Sequence, residues 1–338
     1  MIRELYRIRA NGSDPAHNLA VEEYLTRHTE PGQCILFLWQ NKRTVVIGKN
    51  QNAWKECSVQ QLEADGGHLV RRLSGGGAVY HDLGNLNFTF CVRREDYNIS
   101  RQTDVILRAV KSLGIDAVKN GRNDLTVDGK KFSGHAFLKK GPYCYHHGTL
   151  MVDVDAERLI KYLRVDPLKL DGNGVDSVRA RVTNLREHAP SLTIAALEQA
   201  LTDSFSEVYS LPVKDLREED LPAWKIDDLA AFYASWDWVF GRPLSFTHEM
   251  QGRYGWGGVH IGLKVKSGIV RDMICYSDGL EEGVLAAVCD AVKGCRYESD
   301  ALVEAVLKGV GSAEPLSKVT AAQMAADLSD LIRTNAAE

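Results

Sequence analysis

Three consecutive glycines, Gly75, Gly76 and Gly77, stand directly after the pair Arg71-Arg72 and just before Tyr80-His81-Asp82. Ordering such a run inside a helix or strand is costly, because glycine loses more backbone freedom on folding than any other residue. The run therefore separates two strands. One covers His68 to Leu73, and the other alternates strictly, with Leu86, Phe88, Phe90 and Val92 on one face. Bare glycines let backbone N–H groups approach a phosphate or carboxylate closely, and arginine adds a planar fork for bidentate anion binding. The same string also reads as a flexible loop beside two solvated arginines. No GxxxxGK[ST] occurs in the chain, and Tyr80 stands where a GxGxxG string would need its third glycine. Any nucleotide is therefore held by another scheme.

Composition narrows the classes. The 338 residues are 44% hydrophobic, enough to bury a core, and the net charge of −4 carries no signature of nucleic-acid or membrane binding. The longest strongly apolar run, Cys34 to Trp39, is far short of the roughly 20 residues of a membrane span. The N-terminal segment lacks the apolar centre of a signal peptide. Seven cysteines without a CxxC pair indicate neither a disulfide framework nor a zinc ribbon. These features point to a cytoplasmic, reduced, globular protein with no nucleic-acid or membrane partner, and a monomer is expected.

Asp14-Pro15 reads as a helix N-cap followed by proline at the first helical position, with Leu19, Val21, Tyr24, Leu25 and His28 on one side of the helix. Strands are expected over Ile2–Arg9, Cys34–Trp39 and Thr44–Ile47, and a helix from Ser58 to Gly66-Gly67. Another helix carries Val105, Ile106, Ala109, Val110 and Leu113 and ends at Gly114. Asp128-Gly129 marks a two-residue hairpin. Helices fit Ala156–Leu163 and Ile194–Tyr209, with a long loop over Arg164–Asn184 and a linker at Gly241-Arg242-Pro243. Strands at Gly258–Val265 and Ile269–Tyr276, then helices from Glu281, Ala301 and Thr320, make a small unit of their own. The fold class is α/β (α+β), a large mixed-sheet domain over 1–246 and a smaller C-terminal α+β domain over 247–338.

Two further clusters bear on chemistry. Asn123 and Asp124 offer oxygen ligands of the kind Mg²⁺ accepts, and the hairpin after them carries Lys130-Lys131-Phe132-Ser133-Gly134. One of the two lysines faces inward if the sheet is half buried; an ordinary solvated hairpin has the same string. Adjacent His146 and His147 point to opposite faces of a strand, so they do not share a metal. Cys91 and Cys144 read as small packed side chains unless a base activates them.

In order, Asn18-Leu19-Ala20-Val21-Glu22-Glu23, Val46-Ile47-Gly48-Lys49-Asn50-Gln51-Asn52, Arg71-Arg72 with Ser74 to Asp82, Gly84-Asn85, Gly121 to Asp124, Lys131 to Gly134 and His146 to Thr149 resemble the bacterial lipoate–protein ligase family along essentially the whole chain. The resemblance implies a biotin-ligase and class II synthetase-like catalytic domain. It implies two steps: lipoate and ATP give lipoyl-AMP and pyrophosphate, and the lipoyl group then passes to a lysine of an acceptor. Acceptors in the family are lipoyl domains of 2-oxoacid dehydrogenase E2 subunits and the glycine-cleavage H protein. By similarity Lys131 is the catalytic lysine, touching lipoate and phosphate. Arg72, Gly77, Ala78, Val79 and Tyr80 contact ATP, and Ser74, His81 and Trp39 belong to the lipoate pocket, with Phe37 or Val79 beside Trp39. Asp124 and Asn123 are the Mg²⁺ contacts, and a loop over Leu168–Arg181 shields the adenylate. Phe132 and His135 stand where relatives carry smaller residues, which implies an altered acyl pocket. Alternatives of the same fold are a lipoyl or octanoyl transferase using a preformed donor, and a non-catalytic lipoate sensor.

Overall fold

The alternating segment after the glycine loop is an interior strand of the largest sheet among the described residues. A computed structural model describes residues 1–121, 123–164, 181–241 and 246–335. The chain divides into two units, one of Met1–Val46, Trp54–Arg71 and Val79–Val239, the other of Ile47–Ala53, Arg72–Ala78 and Phe240–Glu338.

In the first unit, strands β1 (Glu4–Arg9), β2 (Gln33–Trp39), β6 (Asn85–Arg93), β7 (Val118–Asn120), β8 (Asp124–Val127), β9 (Lys130–Lys140), β10 (Tyr143–Met151) and β11 (Val213–Leu216) form one sheet. Their order is β11-β1-β2-β6-β10-β9-β8-β7. The two pairings of β1 are parallel, and those from β2 to β7 are antiparallel, so the sheet is mixed. A second sheet takes β4 (His68–Arg71), β3 (Thr44–Ile47) and β5 (Val79–His81), in that order. Strands β2 and β3, consecutive in sequence, thus belong to different sheets.

Leu86, Phe88, Phe90 and Val92 of β6 join one core with Leu36, Leu38 and the apolar faces of helices Ile99–Ser112 and Ile194–Tyr209. The other face of β6 is also buried, yet it carries Asn85, Asn87 and Thr89. It lies under α1 (Pro15–His28), whose N-cap Asp14 accepts from the His17 N–H at 2.8 Å. The expected one-sided helix is corrected here. Asn18, Glu22, Glu23 and Thr26 are buried beside Leu19 and Val21, while Tyr24 is half-buried and His28 exposed, the two rings stacked at 3.9 Å. A helix spanning a polar sheet face buries polar groups of its own. Helix Ala223–Ala234 and strands β7 and β11 carry too little apolar periodicity to stand out in the sequence.

Within the second unit, β12 (His248–Tyr254), β13 (Gly257–Lys266) and β14 (Ile269–Ser277) form an antiparallel sheet, and helices Glu282–Val292, Ser299–Ser312 and Lys318–Asn335 share a core with it. The proposed linker residues Arg242-Pro243, and all of Leu168–Arg181 but its last residue, lie outside the described residues. None of the described helices is long and apolar enough to cross a membrane.

A buried polar chain crosses the large core. The Ser133 hydroxyl meets His135 Nε2 at 3.1 Å, His135 Nδ1 meets His146 Nε2 at 2.9 Å, and His146 Nδ1 meets Gln102 Oε1 at 3.2 Å. With Gln102 accepting, each ring donates once and accepts once, so both are neutral. Burial, helped by the Lys131 and Lys119 charges, holds His135 down at about 3, and burial pushes His146 well below its ordinary value. An unfolded histidine gains its proton below about pH 6.5 while these do not, so stability is complete above that pH and falls as the pH drops toward 3. Calorimetry is expected to show His135 alone costing about 2 kcal/mol at pH 5, with its imidazole NMR signals still those of the neutral ring. Charged-ring signals at pH 5 in the folded protein contradict this.

Candidate active site

The Asp128-Gly129 turn, both residues at positive φ, delivers β9 directly from β8. Register then shifts: Thr126 faces Lys131 but Leu125 faces Ser133, leaving Phe132 as the extra residue of a bulge. Phe132 drops into the apolar core, and Lys131, 39% exposed, places Nζ 2.8 Å from Asp124 Oδ1. The reading of Phe132 as a shaper of the acyl pocket is thereby corrected, because the bulge turns it into the core. His135 likewise belongs to the buried chain with His146. Asn123 is fixed by His135, whose N–H donates to its carbonyl at 2.8 Å and whose carbonyl accepts from its Nδ2 at 3.3 Å.

On the polar face of the sheet, Trp39 donates from Nε1 to Thr89 Oγ1 at 3.1 Å, and Thr89 donates to Glu22 Oε1 at 2.6 Å. The same carboxylate oxygen receives His147 Nδ1 at 2.8 Å. Trp39 also stacks on Phe37 at 6.0 Å and meets His81 edge-on at 6.1 Å. His81 Nδ1 lies 3.3 Å from Asn41 Nδ2, and Asn41 accepts from Asn18 at 3.0 Å. This face thus joins Trp39 and His81 with Glu22, Thr89 and His147. Glu22 and Thr89 were not among the expected site residues. A carboxylate on the inner side of a helix and a threonine in an alternating strand were the available signals. His146, on the opposite face, takes no part.

The glycine segment belongs to the second unit. Buried Arg72 donates from Nε to Ser74 Oγ at 3.1 Å and from Nη2 to the carbonyls of Gly75 and Gly77 at 2.7 and 2.8 Å. Its fork braces the loop from within. The Gly76 N–H donates to the Gly279 carbonyl at 2.9 Å. Gly76 has φ +92, and a Cβ built on Gly48 would stand 2.1 Å from its carbonyl oxygen, so both positions need glycine. A Cβ on Gly77 meets nothing within 4 Å among the described residues. Val79 and Tyr80 begin β5 in the first unit; the Tyr80 phenol is buried, its ring 5.6 Å from Tyr162, and burial raises its pKa to about 12.

All seven cysteines are free, and Cys91 and Cys144 are fully buried. Burial pushes the Cys91 thiol up, away from the thiolate a nucleophile needs. Among the described residues no three His, Cys, Asp or Glu side chains are grouped to hold a metal. The Asn123-Asp124 pair still suits Mg²⁺, which commonly takes one or two protein oxygens and completes its shell with water and substrate phosphate.

A mixed-sheet α/β domain with a lysine–carboxylate pair and an arginine-braced glycine segment is the class that these features define. The profile described as Lipoyl protein ligase A/B catalytic domain matches residues 14–206, and that described as Bacterial lipoate protein ligase C-terminus matches 244–327. A lipoate-protein ligase A of Psychrobacter cryohalolentis is 40% identical over 296 residues, covering 85% of this chain and 87% of that one. Among solved structures, P. falciparum LipL1 in complex with lipoate superposes with TM-score 0.83 at 27% identity, over 96% of this chain and 99% of that one. A lipoate-protein ligase A bound with ATP gives 0.61 at 26% identity, over 71% of this chain and 99% of that one. The chain belongs to the lipoate–protein ligase family.

Replacing Glu22 by Ala leaves Thr89 and the His147 Nδ1–H without their buried acceptor. Urea unfolding is expected to show a loss of about 1–3 kcal/mol; unchanged stability contradicts the network.

Proposed function

We propose that this protein activates lipoate with ATP and transfers the lipoyl group to the lysine of an acceptor lipoyl domain. The observation that carries the reading at residue level is the Lys131 amine, brought to the start of β9 by a two-residue turn and a bulge and held beside the oxygens of Asp124. Family membership and the likeness to ligases solved with lipoate and with ATP support it.

In the first step a lipoate carboxylate oxygen bonds to the α-phosphorus and the bond to the β-phosphate bridge oxygen breaks, releasing pyrophosphate. Two anions must meet, so fixed cations and backbone donors lower the barrier. Lys131 supplies one cation to the carboxylate and the phosphoryl oxygens. Arg72 takes the carbonyls of Gly75 and Gly77, setting the Gly77–Tyr80 backbone that binds the nucleotide. Asn123 and Asp124 would hold Mg²⁺, which when bound neutralises phosphate charge. Trp39 and His81, and in the other unit Ser74, are the residues assigned to lipoate, and the Glu22–Thr89 bond fixes the Trp39 indole. In the second step the acceptor amine attacks the acyl carbonyl, AMP leaves with the electron pair of the anhydride bond, and the amine proton goes to solvent. The acceptors that fit are lipoyl domains of 2-oxoacid dehydrogenase E2 subunits and the glycine-cleavage H protein, met by a monomer in the cytoplasm. The division of labour proposed is catalysis by 1–246 and an accessory role for 247–338.

Lys131→Ala is expected to abolish lipoate-dependent ATP–pyrophosphate exchange while the Tm stays near that of the parent, since a half-exposed strand-end lysine contributes little packing. Near-normal exchange in that folded variant overturns the reading. Transfer from synthetic lipoyl-AMP without any exchange in the parent chain supports the transferase instead. Arg72→Lys loses the fork that reaches two carbonyls at once, and a several-fold rise in the ATP KM is the expected result; an unchanged KM removes Arg72 from the nucleotide scheme.

A further inference from the structure

The Lys131 side chain does not extend outward from its strand. A Cβ built on Gly134 would stand 3.0 Å from both Cε and Nζ of Lys131, and apart from its chain neighbours it would meet no other atom of the described residues within 4 Å. Gly134 is the cross-strand partner of Asp124, whose Oδ1 holds the amine at 2.8 Å. The lysine therefore folds back over the bare Cα of Gly134 to reach the carboxylate opposite. Two other features keep that floor in place. The Gly134 N–H donates to Thr149 Oγ1 at 3.2 Å, and the Phe132 bulge brings Lys131 and Gly134 to one side of β9. Gly134 is not among the residues with positive φ, so backbone conformation does not account for a glycine there.

We propose that Gly134 is a positioning residue for adenylation: its missing side chain is the seat across which the Lys131 amine lies, and any side chain there lifts the amine from its working place. The inference rests on Lys131 serving the reaction. A methyl group at 3.0 Å is closer than nine in ten real Cβ contacts, so the neighbouring atoms must give by a few tenths of an ångström. Those atoms are the far end of a flexible chain. The strand itself keeps its conformation and the amine moves.

The test uses the full chain in four forms: parent, Gly134→Ala, Lys131→Ala, and both together, assayed by lipoate-dependent ATP–pyrophosphate exchange and thermal unfolding. Gly134→Ala is expected to lower the exchange kcat tenfold or more with the ATP KM within twofold. Added to Lys131→Ala, it is expected to change neither residual exchange nor Tm, because removing the lysine empties the space that the methyl group needs. Should Gly134→Ala alone depress the Tm, the double variant recovers the loss. A Tm loss that persists in the double variant places the effect in backbone packing and overturns the inference. So does exchange by Gly134→Ala within twofold of the parent while Lys131→Ala is inactive, and that result leaves the ligase reading standing. Full exchange by Lys131→Ala removes the reading itself.

Discussion

The antiparallel ladder between β6 and β10, running from Asn85–Met151 to Arg93–Tyr143, fixes everything around it. It is buried on both faces, and the two faces have opposite chemistry. One carries the apolar side chains of β6, with the His146 ring among them bonded to Gln102, and joins the helices Ile99–Ser112 and Ile194–Tyr209. The other presents Thr89 and His147, which must find partners once water is excluded. Glu22 answers both from α1 with a single carboxylate oxygen. The need to satisfy those groups sets the placement of the helix and with it the indole of Trp39.

Charge is arranged differently at the two ends of the proposed chemistry. At β9 the lysine is half-exposed and rests on a carboxylate, an ion pair that solvent weakens and a substrate anion can replace. In the glycine segment Arg72 is buried and its fork is taken by the carbonyls of its own loop. A buried guanidinium with several acceptors is a scaffold for a backbone shape, and a half-exposed ammonium with one acceptor is a group free to act. In the proposed chemistry Arg72 therefore shapes the loop, and Lys131 has the direct role.

Much of this was readable in the amino acids, for identifiable reasons. The Asp14-Pro15 helix start, the Asp128-Gly129 turn and the opposite faces of His146 and His147 are local effects of backbone geometry, and each stands where it was expected. Whatever depends on distant partners escaped. Glu22 looks like a solvated helix residue until β6 and β10 lie beneath it. Phe132 sits between two residues of apparent site character, and only the bulge, a relation between two strands, sends it inward. Gly134 reads as an ordinary strand glycine until the path of the Lys131 side chain is traced over it. The order of seven short motifs, by contrast, pointed to the family directly, since no single fold constraint produces all of them together.

The decisive property of the protein is the formation of an amide between lipoate and a lysine at the expense of ATP. Intact-mass spectrometry of an unmodified lipoyl domain, incubated with the protein, lipoate and ATP, measures that bond. One lipoyl group per acceptor is predicted, appearing only when both small molecules are present and located on the acceptor lysine by peptide mapping. An acceptor that stays unmodified with both present, or gains the group without ATP, contradicts it.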